Sequence, residues 1–330
     1  MSRRFLASVG VLTVVTAAAS LAPLPLAAQA PTTKTTAVAK TWTPPRTADG
    51  QPDLQGIWNS GTATPLERPK ELEGKAFFTA QEAADYEKQY VERSNVDRPL
   101  REGDTGTYNE FWWEHGTKVQ ADRRTSLVVD PPDGRIPPLT PEAQKRAAVE
   151  PSYRPLRATG GFESGRGADS WFDRSLWERC ITQGLPRLSS NAYNSNIQIL
   201  QGPGYVAVLH EMIHEARVIP LDGRPHVTPR VRQYLGDSRG HWEGNTLVVD
   251  VTNFSDKTNF RGSTAGLHMV ERFTRVDPDT LNYEVTFDDP STWTKPWTAS
   301  VLWKKSRGQM YEYACHEGNY GMKGILRGAN

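Results

Sequence analysis

The sequence predicts a mainly β protein, an antiparallel barrel behind an irregular, partly helical N-terminal cover. Three observations predict it. Beyond Ile197 apolar and polar residues alternate with period two, as in strands with one buried face. Reversing signals separate these runs, among them Leu221-Asp222-Gly223-Arg224, Glu243-Gly244-Asn245 and Asp277-Pro278-Asp279. The 27 glycines and 24 prolines supply the turns and irregular connections that many short strands need.

The first thirty residues read as a secretory signal peptide. Arg3 and Arg4 precede an apolar stretch over 5–19, and Ala28-Gln29-Ala30 has the small-x-small pattern of a cleavage site. The apolar stretch is too short for a membrane span, and no cysteine lies near the cut to carry a lipid. The expected location is periplasmic or secreted, with no membrane contact after cleavage; the paired arginines also fit twin-arginine export. Without the leader's two arginines the chain holds 37 basic and 38 acidic residues, which gives no electrostatic footprint for nucleic acid. Residues 31–50, rich in Thr, Pro and Ala, read as a linker, 51–160 as the cover and 161–330 as the barrel.

The cover contains two helix starts. Thr79-Ala80-Gln81-Glu82 is a capping box opening a helix to about Arg93, and Thr140-Pro141-Glu142 places proline at a first helical position. In the barrel, strands are expected at 197–201, 205–219, 246–251, 267–276, 280–287, 298–304 and 310–314. Between the second and third of these, Asp237, Arg239 and His241 read as a polar loop. Cys180 and Cys315 are the only cysteines, and in an oxidising compartment they read as a disulfide; a Cys315-His316 nucleophile pair is disfavoured because neighbours on a strand point to opposite faces.

His210-Glu211-Met212-Ile213-His214 satisfies H-E-x-x-H. On a helix both imidazoles share a face and could bind zinc, making a zinc hydrolase. The β-branched surroundings and the missing cap favour a strand, on which the two rings stand about 13 Å apart at ~3.3 Å per residue. In that setting His210 and His214 punctuate an apolar face with Val206, Val208, Met212, Ala216 and Val218, while Glu211, Glu215 and Arg217 point the other way. Glu271 shares a face with Leu267, Met269 and Phe273, so it is paired with an arginine such as Arg217 or Arg239, exposed at a barrel end, or kept protonated.

The Pro52-Asp53-Leu54-Gln55-Gly56-Ile57-Trp58 run contains a Gly-x-Trp of the kind that opens lipocalin-like barrels. With Arg124-Thr125-Ser126-Leu127, Asp130–Arg135, Leu235–Gly240, Trp242–Asp250, Val270-Glu271-Arg272-Phe273 and Tyr313–Met322, it resembles a family of exported bacterial proteins without a settled activity. The resemblance implies kinship over most of the mature chain and brings no reaction with it.

The function expected from these residues is binding of a small organic molecule, sugar-like or aromatic, in a barrel cavity, with possible metal-independent lyase or hydrolase chemistry. His214, Glu271, Arg217 and His316 are the candidate acid–base groups, without metal or cofactor. Trp112, Trp113, Arg239, Trp293, Trp297 and Tyr320 are the candidate binding groups. A non-catalytic binding protein and the zinc hydrolase are the alternatives, and the sequence sets no oligomeric state.

Overall fold

In a computed structural model, residues 42–97, 99, 109–114, 116–149, 169–188, 193–258 and 260–328 are described. The expected signal peptide and most of the expected linker lie outside them. Ten strands form one antiparallel sheet: β1 (Gly56–Asn59), β2 (Val128–Asp130), β3 (Asn196–Gly202), β4 (Tyr205–His210), β5 (Glu215–Pro220), β6 (Asp237–Glu243), β7 (Thr246–Thr252), β8 (His268–Asp277), β9 (Thr280–Asp288) and β10 (Trp297–Lys305). Their order is β5-β4-β3-β1-β10-β9-β8-β7-β6, with β2 added to β10. Apart from β2, each strand pairs with the next in sequence except β5 with β6, and β1 joins the ring by pairing with both β3 and β10. The result is a nearly closed, nine-stranded antiparallel barrel, as the period-two pattern predicts. Among the described residues no ladder joins β5 to β6. The two still lie against each other, because Gly240 has no side chain: a Cβ there would stand 2.6 Å from Leu221 Cδ2 and 2.8 Å from Ile219 Cγ2.

The strands of the second half alternate as their sequence requires. Met269, Glu271 and Phe273 of β8, Leu281, Tyr283, Val285 and Phe287 of β9, and Trp297, Ala299, Val301 and Trp303 of β10 are buried, and the residues between them are less so. Trp58 donates to Leu54 O at 3.0 Å and lies under the Arg275 guanidinium, 5.7 Å from its ring centroid. Arg275 also donates to Pro278 O, so this pair closes the end where β8 turns into β9.

Three expectations are corrected. The single strand at 205–219 is a hairpin, because the chain reverses at 211–214, where Ile213 and His214 take positive φ of 64° and 44°. That turn resets the alternation: Arg217 and Ile219 point inward while Ala216 and Val218 face solvent, the reverse of an unbroken strand. The polar loop at 237–243 is the strand β6, whose outward Arg239, His241 and Glu243 alternate with inward Ser238 and Gly240, residues too small and polar to register as a buried face. Residues 310–314 pair with no strand among the described residues.

The cover supplies β1 as a barrel stave, and otherwise wraps β10. The capping box forms as predicted, with Thr79 Oγ1 accepting from Glu82 N and Glu82 Oε2 from Thr79 N, and it opens α1 (Ala80–Ser94); α2 (Pro141–Val149) follows the Thr140-Pro141 signal. β1 occupies only Lys304 and Lys305 of β10, so β2, Gln120 Oε1 and Leu127 O take the rest of that edge. A third helix, α3 (Tyr320–Gly328), ends the described chain. Among the described residues no helix is long and apolar enough to cross a membrane.

On the outer wall, His226 folds over β6 and β7 with Nδ1 2.8 Å from Asp237 Oδ2 and Nε2 2.8 Å from Asp250 Oδ1. Asp250 Oδ2 meets His268 Nε2 at 2.7 Å, and Arg239 Nη1 donates to Asp237 Oδ1. The Asp250 hydrogen bond raises the His268 pKa above its ordinary 6.5, and the same bond lowers that of Asp250 below 3.8. A histidine with a raised folded value stabilises fully below pH 6.5 and loses that contribution as pH rises through the folded value. Asp250 withdraws its contribution only on acidification below about 3.8. Urea midpoints measured from pH 5 to pH 9 are therefore expected to fall across the alkaline limb in the wild type and to flatten there in His268→Gln. An equal fall in both proteins would contradict this linkage.

Candidate functional site

The barrel interior holds a network of charged and polar side chains. Arg217 Nη1 lies 2.5 Å from Glu271 Oε2 and Nη2 lies 3.1 Å from Oε1, a two-pronged pair at 5% and 1% exposure. Tyr283 donates to Glu271 Oε1 at 2.7 Å, and Arg217 also reaches Ser238 Oγ. Burial presses the Arg217 pKa down, but Glu271 outweighs it and the guanidinium is held above its usual range. Burial, with the Glu271 charge beside it, pushes the Tyr283 hydroxyl well above 10. Of the two arginines expected for Glu271, Arg217 is the partner, while Arg239 stands outside with Asp237.

A second buried arginine enters from the end where β4 turns into β5. Arg187, carried by the irregular segment before β3, donates through Nη2 to Glu215 Oε2 at 2.8 Å and through Nη1 to Gln183 Oε1. Thr182 Oγ1 donates to the other Glu215 oxygen. Burial lowers the Arg187 pKa to about 10 against the opposing pull of Glu215. His210 points inward from β4 at 4% exposure. Burial, then the positive charges of Arg187 and Arg217, drive its pKa well below 6.5, so the ring is neutral at physiological pH.

A shallow opening lies at this end, enclosing a space of about 10 Å³, the size of a single water. Its walls are Ser60, Arg187, Asn194, Ser195, Asn196, Ile197, His210 and Met212. Among the described residues His210 Nε2 and Arg187 Nε, like the Nε of Arg217 and Arg275, are buried without a hydrogen-bond partner. Among the described residues the lining holds one cation, and the carboxylates of Glu114 and Glu211 stand behind it on Ser195 and Asn196. Such a set of hydroxyls, amides, one guanidinium and one imidazole offers both donors and acceptors around the opening.

The H-E-x-x-H residues separate into three roles. His210 is inside and Glu211 is buried, its carboxylate accepting from Asn196 N, Asn196 Nδ2 and Tyr311 N. His214 is exposed, with Nδ1 3.1 Å from Tyr313 O. The turn between the histidines replaces the helix that a shared zinc would require, and among the described residues no three His, Cys, Asp or Glu side chains gather as a metal site.

Of the expected acid–base quartet, Arg217 and Glu271 meet in the interior, while His214 and His316 are at the surface. Trp293 and Trp297 are buried in the core, Trp297 stacked on Phe287 at 4.0 Å and edge-on to Trp293 at 5.5 Å. Tyr320 is exposed at the start of α3, and Trp113 is partly buried. Trp112 lies in the short turn Glu110–Trp112, of which only the backbone is described at that residue; Glu114 accepts from Ser195 N and so sets this segment beside the pocket. The expected Cys180–Cys315 disulfide is present, with a Cα–Cα distance of 5.7 Å.

Sequence reasoning did not assign Arg187, Asn194, Asn196, Glu215 or Tyr283 to a site. Tyr283 had a signal, the inward phase of Leu281, Val285 and Phe287. Arg187 had none, because its segment has no period.

No protein-family model and no curated protein matches the chain. Among solved structures it is similar to the crystal structure of a mutant of the fluorescent protein UnaG, at 14% identity over 40% of this chain and 86% of that chain, with a TM-score of 0.22. A similarity of that size bears on neither ligand nor activity, and the antiparallel barrel stands on its own strand register.

Proposed function

We propose that this protein is an exported barrel that binds a small polar organic molecule at its open mouth, between Arg187 and His210. The observation that carries the reading is the gathering of Ser60, Asn194, Ser195 and Asn196 with Arg187 and His210 around one opening at the end of the barrel. The interior offers less, since Trp58, Trp303, Phe273, Phe287 and Trp297 fill it. Arg217 and Glu271 are spent on each other, which favours binding over turnover by the expected quartet. Export is supported by the disulfide, which persists in oxidising compartments, and by the leader pattern of residues 1–30.

Thermal denaturation of the mature chain against sugars, sugar acids and hydroxy acids tests this reading. A bound compound at a hundredfold excess over its Kd stabilises by about 2.7 kcal/mol. His210→Phe, which places an apolar ring of similar size on the wall, is expected to abolish that shift while the far-ultraviolet circular dichroism stays unchanged. A binder whose effect survives His210→Phe would move the site elsewhere.

A further inference from the structure

We infer that His226 is a pH-dependent clasp on the open seam of the barrel: as an imidazolium it pins the strap that joins β5 to β6, and on losing a proton it loosens that strap. No ligand at the mouth takes part.

The need for a strap follows from the topology. Eight antiparallel pairings separate β5 from β6 around the sheet, so the two strands run in the same direction. Parallel neighbours cannot be joined by a tight turn, and residues 222–235 travel back along the seam instead. Among the described residues no ladder closes that seam, and side chains hold it. Inside, Arg217 Nη1 reaches Ser238 Oγ at 3.5 Å; in the wall, Ile219 and Leu221 close over Gly240.

Outside, the strap is exposed except at His226 and Leu235, and it is tied down at two places. One anchor is backbone: Gln233 N donates to Asn253 O, and Gln233 O accepts from Ser255 N. The other depends on side chains. His226 lies on Asp237 and Asp250, Val227 N donates to Asp237 Oδ2 at 3.0 Å, Arg239 Nε donates to Pro225 O at 3.0 Å, and Asn253 Nδ2 donates to Val227 O at 2.9 Å.

Hydrogen counting makes this second anchor depend on pH. Each ring nitrogen of His226 faces a carboxylate oxygen at 2.8 Å. An ionised carboxylate only accepts, and only an imidazolium has two N–H groups to give. A neutral ring keeps one of the bonds and turns a lone pair on the other carboxylate. Asp237 is 7% exposed and Asp250 39%, so the better hydrated Asp250 is the one released. His268, the other histidine of the cluster, meets one carboxylate through Nε2, and a neutral tautomer can still make that bond. His226 is therefore the sensor.

The surrounding charges act in the same direction. Asp237 and Arg239 face His226 from β6 and Asp250 from β7; behind Asp250 stands His268 of β8, with Asp288 opposite it on β9. On the strap itself Asp222 and Arg224 pair with each other, Arg232 donates to Ala265 O, and Arg230 is exposed. With both imidazoles charged, they and Arg239 balance the three aspartates. Loss of the His226 proton leaves Asp237 and Asp250 repelling each other across a neutral ring.

The test follows the mature full-length chain by NMR from pH 5 to pH 9, reading the His226 ring nitrogens and amide exchange corrected for its intrinsic pH dependence. His226 Nε2 is expected to lose its hydrogen while Nδ1 keeps it. Over the same interval the protection of Val227 N should fall about tenfold or more, as for one charge-assisted hydrogen bond, while Gln233 N and Ser255 N hold theirs. His226→Phe should show the low Val227 protection at every pH. His226→Arg, which keeps donors for both carboxylates, should retain the high protection at pH 9, and His268→Gln should leave the Val227 response in place.

A ring that keeps both hydrogens to pH 9, or that loses one while Val227 protection stays level, would overturn the clasp. So would an equal fall of Val227 protection in His226→Arg. A fall shared by Gln233 N and Ser255 N would overturn it too, because the whole outer wall would then be responding.

Discussion

Glu271→Ala is expected to destabilise the barrel by about 3–5 kcal/mol, a large share of the stability of an ordinary domain. The substitution leaves the Arg217 charge at 5% exposure with Ser238 Oγ, 3.5 Å away, as its one side-chain hydrogen-bond partner among the described residues, and removes the acceptor of the Tyr283 hydroxyl. Arg217→Ala should cost a similar amount by stranding the carboxylate. The cause is the uncompensated charge, so removing the network as a unit should behave differently. Arg217→Met with Glu271→Leu and Tyr283→Phe replaces it with apolar side chains of similar volume, and its stability is expected to lie within about 1–2 kcal/mol of the wild type or above it. Urea unfolding with linear extrapolation measures all of these on one scale. A Glu271→Ala cost below about 1 kcal/mol would mean that water reaches the pair.

Cys180→Ser with Cys315→Ser is expected to produce the second large loss. The bond spans a sequence separation of 135, so the entropic model sets an upper figure of about 5 kcal/mol, with 2–4 kcal/mol typical of measured cases. Its structural effect should concentrate on the tail. Beyond β10 the chain is held by Tyr311 N on Glu211, Tyr313 O on His214, and Asn319 Nδ2 on Glu178 O. These contacts join the tail to the β4–β5 turn and to the segment that carries Arg187, the two lips of the pocket. Without the disulfide, limited trypsin digestion should cut faster at Arg307, Lys323 and Arg327, while the amides of β7 to β9 keep their hydrogen-exchange protection. Uniform loss of protection across the barrel would show that the bond supports the whole fold.

The strands from β7 to β10 were legible because their inward residues are mostly large and apolar, and of the two buried charges on β8, Glu271 and Arg275, the first announced its need for an arginine. Which arginine it took was not legible. The answer depends on the phase of β5, which the turn at 211–214 reverses, and Met212 and Ile213 kept the apolar run continuous through that turn. β6 was hidden for the opposite reason, since Ser238 and Gly240 fill inward positions where a period would have shown large apolar residues. The tryptophans illustrate a limit of composition: Trp293 and Trp297 sit in turn-rich sequence yet pack as core, because Phe260 and Phe287 fold over them. His210 was visible as a polar residue among valines. Its companion Arg187 was not, because an insertion from an aperiodic segment is decided by tertiary packing alone.

The proposed ligand meets the protein at the mouth lined by Arg187 and His210, and the aromatic interior is packing. Mapping backbone amide shifts while titrating a bound compound tests it most directly. Changes are expected to cluster at Ser60, Asn194 to Ile197, His210 and Met212, with Val249, Val285 and Trp303 quiet. Changes centred on those last three, with the mouth unaffected, would contradict it.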